Sequence, residues 1–460
     1  MDNQLKLAPG REGRGEQKGG ELRGWSLIAL AALAVSGVLA PLLALSRAPG
    51  MERYLPWAET AFQRAIIEHV VFSVVVWTLA VFGALMCVAV QGSGQEGGQP
   101  KANRLGPVAV WAMLPVFILL FVPGVMSGAK PSLNNYVPVM IHPFYYSGLG
   151  VLFAALALPV LRLWLNRARI QDSALGMGAA SAAAAYAMAI LCFVIAASQL
   201  SGAVPSVAYN EDLFWGGGHV LQIVNTIVML SAWCLLGEVA LGRPLVSRKA
   251  LKAAFGLCLI AAVAAPIFYA FFTFESGDLG VAHSQLKYVL GLPALIVVFS
   301  ALKNVGKISF LNQRRSPAFT ALSLSVILFA IGGVMGLFAD GADTRTPAHY
   351  HGVLGAVNLA FFGVVMFYIL PLLGRGLKPT RWRFAPLYVY AVGQLLQSLG
   401  LFIAEAPRKT MGAAQALDSA LAKIGMHMNN SGGAIAVIGG ILFVWIAGRA
   451  LLGRTSDSLE

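Results

Sequence analysis

Apolar positions along this chain gather into long runs broken by short polar connections. They do not recur at the spacing of a surface helix or alternate as in a half-buried strand. Twelve of the runs are long enough to cross a hydrocarbon layer as helices, which takes about 20 residues each. They fall approximately at residues 24–45, 65–91, 107–127, 138–164, 175–200, 214–239, 250–273, 282–302, 317–339, 348–373, 384–404 and 432–452. No connection leaves room for a separate soluble domain. The pattern predicts one all-α polytopic membrane bundle over 24–453. A polar, Gly-rich segment at 1–23 precedes it and reads as a disordered cytoplasmic tail, and a short cytoplasmic tail follows at 454–460. Span one is too long for a signal-peptide core and lacks a cleavage site, so it is read as retained.

Composition agrees: hydrophobic residues make up 58% and charged residues 12%, and the mean hydropathy is +0.72. The net charge of +13 is not a nucleic-acid signal, because of where it lies. The loops after even-numbered spans hold most of it, for example Arg162, Arg167 and Arg169, or Arg243, Arg248, Lys249 and Lys252. The odd-numbered loops carry fewer cations, along with Glu211, Asp212, Glu275, Asp278, Asp340 and Asp343. The positive-inside rule then places both termini in the cytoplasm of a bacterial-type inner (plasma) membrane. Cys87, Cys192, Cys234 and Cys258 stand singly within spans, without metal-ligand or haem-attachment spacing, and read as inert buried thiols.

The histidines carry the chemistry. Thr346 and Pro347 read as the N-cap and first position of span ten, which puts His349 and His351 in its first turn. Positions i and i+2 of a helix project about 200° apart, so these imidazoles cannot share one metal. They can hold two different groups on opposite flanks. Under the topology above, His69, His219 and His283 also lie near the outer starts of spans two, six and eight. Five imidazoles from four helices thus reach a similar depth. Neutral imidazoles converging in a low dielectric suit a haem or metal site, and histidines inside a span are costly and usually functional.

The segments Asp343–Gly352, Trp215-Gly216-Gly217-Gly218-His219 and Ala282-His283, with His69 and twelve spans, resemble subunit I of the haem–copper oxygen and nitric oxide reductases. The resemblance implies that His351 and His69 are axial ligands of a low-spin haem and that His349 binds a high-spin haem. It further implies that His219 and His283 hold a non-haem copper or iron facing that second haem. Arg408 and Lys409 resemble the paired cations that neutralise haem propionates, or are a free loop pair.

Two departures bear on substrate. The family usually has adjacent histidines at the start of span eight, whereas His283 is followed by Ser284. The metal is left with two imidazoles and a water or unusual ligand, or is lost. Gln222, one turn below His219, reads either as that ligand or as a helix–helix hydrogen bond. Many oxidases place a redox-active tyrosine one turn after the span-six histidine, and here that position is Ile223. Tyr269 of span seven lies fourteen residues before His283. Cleaving O2 takes four electrons at once, whereas coupling two NO takes two. The sequence therefore leans toward NO, with O2 as the alternative. No mid-span carboxylate serves the inner half, although Lys287 and Tyr288 near His283 could serve a route there.

His142 fits no ligand position and reads as a helix-interface residue. His427 reads as solvated on a loop, and Trp215 and Tyr350 as interfacial anchors, with contact to a haem face as the alternative for Tyr350. Electrons have to come from an electron-donating partner subunit of cupredoxin or cytochrome c type at the outer face, or from quinol; the remaining partners are the lipid bilayer and a small gas. A twelve-span secondary transporter would share the topology, but the two halves show no repeat.

Overall fold

The computed structural model describes residues 12–46, 58–92, 99–133, 138–305, 316–339, 343–406 and 419–453. Among them are twelve helices long and apolar enough to cross a membrane. They are α1 (Glu12–Ser46), α2 (Ala58–Val70, continued through a π-helical turn Val71–Val76 into Trp77–Gly92), α3 (Leu105–Val125), α4 (Pro143–Leu165), α5 (Ala174–Gln199) and α6 (Val207–Leu241). There follow α7 (Arg248–Phe268), α8 (Asp278–Gln285, through a 3₁₀ turn Leu286–Val289 into Gly291–Val305), α9 (Pro317–Gly336) and α10 (Arg345–Val364, through a π-helical turn Val365–Ile369 into Leu370–Leu372). The last two are α11 (Ala385–Ala404) and α12 (Ala420–Leu452). A two-stranded antiparallel hairpin, β1 (Lys130–Ser132) with β2 (Val139–Ile141), joins α3 to α4, with Pro131 opposite Met140.

Helix starts follow their caps. The hydroxyls of Ser173, Ser206, Ser247, Ser316 and Ser419 each accept a first-turn backbone N–H. Those caps move several expected boundaries. α6 begins at Val207, so Glu211 and Asp212 sit in its first turns and not in a loop. α12 begins at Ala420 behind Ser419, which puts His427 on a helix, where it is exposed. α4 begins at Pro143, because the ring fixes the first helical φ and residues 139–141 pair in the hairpin. α7 ends at Phe268, five residues early. The cap of α10 is Thr344, not Thr346. The Asp343 carboxylate accepts from Arg345 N at 2.8 Å, and the Thr344 hydroxyl donates across to the Leu401 carbonyl at 2.7 Å. His349 and His351 therefore stand in the second turn.

Residues 12–23 are also helical, a correction to the disordered tail. Glu21 lies within α1 and receives both guanidinium nitrogens of Arg162 from α4, at 2.6 and 2.7 Å. The two side chains are 2% and 0% exposed, so the pair holds α1 to α4 inside the bundle at Glu21. Residues 454–460 lie outside the described residues.

Burial is uneven. In α2, α6 and α10 the apolar window is 78%, 83% and 72% buried, against at most half in the other spans. These three inner helices carry His69, His219, and His349 with His351. Trp77 of α2 links to α10 by donating its Nε1–H to the Asn358 side chain at 2.9 Å. Around α10, Gly332 of α9 and Gly352 leave no room for a Cβ on either side, so those backbones touch.

Candidate haem and gas-reduction site

The glycine run before His219 is a device for close packing. Gly217 faces the Phe193 ring of α5, and Gly216 faces His283 and Tyr269. A Cβ built on Gly216 would sit 2.7 Å from His283 Nε2 and closer still to the Tyr269 hydroxyl. Trp215 ties the same turn to α8 by donating its Nε1–H to the Gly280 carbonyl at 2.9 Å, one turn before His283. His219 then donates from Nδ1 to the Trp215 carbonyl at 2.7 Å, with its ring 5.2 Å from the Trp215 ring. α6 and α8 are thus packed together at the turns that carry His219 and His283.

On α10 the two imidazoles do part. His349 Nδ1 donates to the Gly332 carbonyl of α9 at 2.7 Å, while His351 Nε2 lies 3.4 Å from Gln397 Nε2 of α11. On α2, His69 Nδ1 donates to the Ser36 carbonyl at 3.0 Å and lies 2.8 Å from the Ser36 hydroxyl. The Trp77–Asn358 bond sets the register of α2 against α10. His69 and His351 stand eight and seven residues before those partners, about 10–12 Å up each helix at 1.5 Å per residue. They therefore share a level.

A backbone carbonyl can only accept, so each of these bonds makes Nδ1 the donor. In His69, His219 and His349 the lone pair is left on Nε2, which is how metal-binding histidines are oriented.

The model of the family described as cytochrome c and quinol oxidase polypeptide I matches residues 23–435. The chain belongs to that family. An uncharacterized protein of Rickettsia prowazekii (strain Madrid E) is 21% identical over 513 residues, covering 95% of this chain and 97% of the relative. An uncharacterized protein of Aquifex aeolicus (strain VF5) is 27% identical over 354 residues, covering 75% and 83%. Among solved structures, a cryo-EM structure of a heme-copper terminal oxidase dimer superposes with a TM-score of 0.71 at 17% identity, over 97% of this chain and 85% of that one. The fold is thus that of the oxidase polypeptide, and membership makes the chain an oxidoreductase whose family implies haems and a metal centre.

The residues of this oxidase-family chain fit the haems better than the non-haem metal. His69, His351 and His349 offer ligating nitrogens on two inner helices, and the Nδ1 bonds of His69 and His349 set their tautomers. His283 is held differently. Its Nδ1 lies 2.9 Å from the Leu279 carbonyl and its Nε2 lies 3.1 Å from the Ala265 carbonyl, so both nitrogens face acceptors. Ser284 is turned back on its own helix, donating to the Gly280 carbonyl at 2.8 Å. Gln222 is half-buried, and its side chain makes no hydrogen bond among the described residues. Those residues contain no group of three His, Cys, Asp or Glu able to hold a metal. The described side chains do not fit the three-imidazole set of the family.

Two residues stand out beyond those expected. Tyr269, set aside for its distance in sequence, returns to the site because α7 ends at Phe268. Its ring is 5.1 Å from that of His283, and its buried hydroxyl has no hydrogen-bond partner. Glu68, next to His69, is only 2% exposed, and neither carboxyl oxygen has a partner. It lies against Gly124 of α3. A carboxylate inside an apolar run is the signal that would have found it.

The other expected residues divide. His142 caps α4, its Nδ1 accepting from Phe144 N at 3.2 Å. Arg408, Lys409 and Asp340 lie outside the described residues.

Proposed function

We propose that this chain is the catalytic subunit of a respiratory terminal reductase acting on a diatomic gas, with NO as its substrate. His69 and His351 would hold a low-spin haem and His349 a high-spin one. Bound there, the haems supply one-electron transfer and an iron that takes the gas. The observation that carries the reading is the splitting of His349 and His351 to opposite flanks of a buried helix.

The chain's own residues prepare the site. The carbonyls of Gly332 and Ser36 hold His349 and His69 in the tautomer that presents Nε2. Trp215 and Gly280 lock α6 to α8, so the space beside His219 keeps its width. NO coupling is favoured by the short ligand set, since cleaving O2 must deliver four electrons before reactive oxygen escapes. Reduction of O2 is a second reading, favoured by Tyr269, whose ring is 5.1 Å from that of His283 and whose buried hydroxyl has no hydrogen-bond partner. The donor in either case is a cupredoxin or cytochrome c type subunit at the histidine end of the bundle, and both termini lie at the opposite, basic end in the cytoplasm.

Electrodes for NO and O2 read together, on the protein in vesicles with an artificial donor, test this. The proposal expects NO loss to outpace O2 uptake and little proton ejection. Rapid cyanide-sensitive O2 uptake with proton ejection and negligible NO loss would establish the oxidase reading instead.

A further inference from the structure

Away from the histidines, α5 and α7 are outer helices, with 44% and 39% of their apolar windows buried. They pack against each other, and close to their first turns a cavity of about 280 Å³ opens between them. Its lining combines the small residues Ala180, Ser181 and Gly256 with the larger apolar Met177, Phe255 and Leu259. A Cβ built on Gly256 would meet no atom within 4 Å, so that glycine borders open space. The lining also holds a cation, Lys252. Arg248, one turn earlier on the same face of α7, lies 3.5 Å from Asp172 Oδ2, and Lys252 lies 3.9 Å from the same oxygen. Two cations thus converge on one exposed carboxylate, which leaves a positive charge in excess. Lys249 adds another in the first turn of α7. α5 starts behind Ser173 and α7 behind Ser247, so the positive ends of both helix dipoles lie at this same end of the groove. Farther along, α7 exposes the apolar Ile260, Val263 and Ile267. The groove therefore runs from a basic rim into an apolar flank.

We propose that this groove binds one anionic phospholipid at the basic end of the bundle, with the phosphate at Arg248 and Lys252 and an acyl chain along Gly256. Basic pockets between spanning helices suit anionic headgroups, because the cations stay wet at the rim while the chains remain in hydrocarbon. The excess of cations over Asp172 selects an anionic headgroup over a zwitterionic one. The apolar lining selects a lipid over a free phosphate, which could use only the rim. Asp172 holds the two cations to one side when the groove is empty and competes with the phosphate for them.

The test uses the full chain in a neutral detergent, weighed intact so that bound lipids can be counted. Phosphatidylglycerol is titrated against phosphatidylcholine with the same acyl chains, and inorganic phosphate serves as the free anion. The proposal expects one phosphatidylglycerol per chain to be retained where phosphatidylcholine is lost, and excess phosphate not to displace it. Arg248→Gln together with Lys252→Gln should weaken this binding about thirtyfold, at about fivefold for each cation. Gly256→Leu builds into open space and suits a helix better than glycine, so it should fold, keep the basic rim and still weaken binding. Asp172→Asn should tighten it by freeing both cations. Equal retention of the two lipids, displacement by inorganic phosphate, or undiminished binding in Gly256→Leu overturns the proposal. So does a photocrosslinker on Gly256→Cys that captures another polypeptide in the membrane, which would make the groove a subunit interface.

Discussion

Replacing Gly216 by alanine tests whether the close packing of α6 sets the site. The added Cβ would stand 2.7 Å from His283 Nε2, about 0.8 Å short of an ordinary contact near 3.5 Å. The Tyr269 hydroxyl is closer still, so both rings must move or α6 must withdraw from α8. Withdrawal strains the Trp215–Gly280 bond, which carries the backbone oxygen that orients His219. Overpacking of this kind typically costs about 1–3 kcal/mol of stability. A displacement of about 1 Å at the reacting groups costs about a hundredfold in rate. Gly280→Ala is the matched control, because its Cβ would meet only Trp215 Nε1, at an ordinary 3.8 Å. The assay compares turnover, the carbon monoxide difference spectrum and thermal stability of both variants in detergent. The reasoning expects Gly216→Ala to lose turnover and perturb the ligand-binding spectrum, and Gly280→Ala to match wild type. Normal turnover with an unshifted spectrum in Gly216→Ala would refute it.

Arg162→Met should destabilise the protein by about 3–5 kcal/mol by leaving the Glu21 carboxylate buried without its partner, whereas Glu21→Gln together with Arg162→Met should recover part of that; thermal melts of the three proteins decide. Burial disfavours the charged form of Asp343, but the Arg345 guanidinium at 2.6 Å and the Arg345 backbone N–H outweigh it and hold this carboxyl below its usual value. Its stabilising contribution is therefore present above the ordinary carboxylate value of about 3.9 and lost as pH falls through the lowered folded value. The melting difference between wild type and Asp343→Asn should be constant near neutrality and shrink below that point; a difference that does not change with pH contradicts this. Tyr269→Phe should leave NO turnover unchanged, and a large loss of O2 uptake in that variant would instead mark the tyrosine as an electron donor to O2.

The number and order of the spans were legible because long apolar runs register whatever the tertiary contacts. The opposite facing of His349 and His351 was legible because helix geometry fixes i and i+2 on opposite sides, and Gly332 and Gln397 do lie on different neighbours. Boundaries were less so. Within α1, Glu21 pairs with Arg162, which lies 141 residues away, and a polar Gly-rich segment carries no trace of that partner. The place of Tyr269 depends on where α7 stops and on Gly216 leaving space beneath it, neither of which shows in a periodicity. His283 and Ser284 looked like a ligand and a lost ligand. That the Ala265 carbonyl engages His283 follows only from the packing of α7 against α8, and that Ser284 bonds back to the Gly280 carbonyl of its own helix shows only in the side-chain geometry.

The most direct test is a haem count on the purified protein, with reduced-minus-oxidised spectra of wild type, His351→Ala and His349→Ala. The account predicts two haems per chain in wild type, of which His351→Ala loses the low-spin signal and His349→Ala the one that binds carbon monoxide. A folded wild-type protein that carries no haem would contradict it.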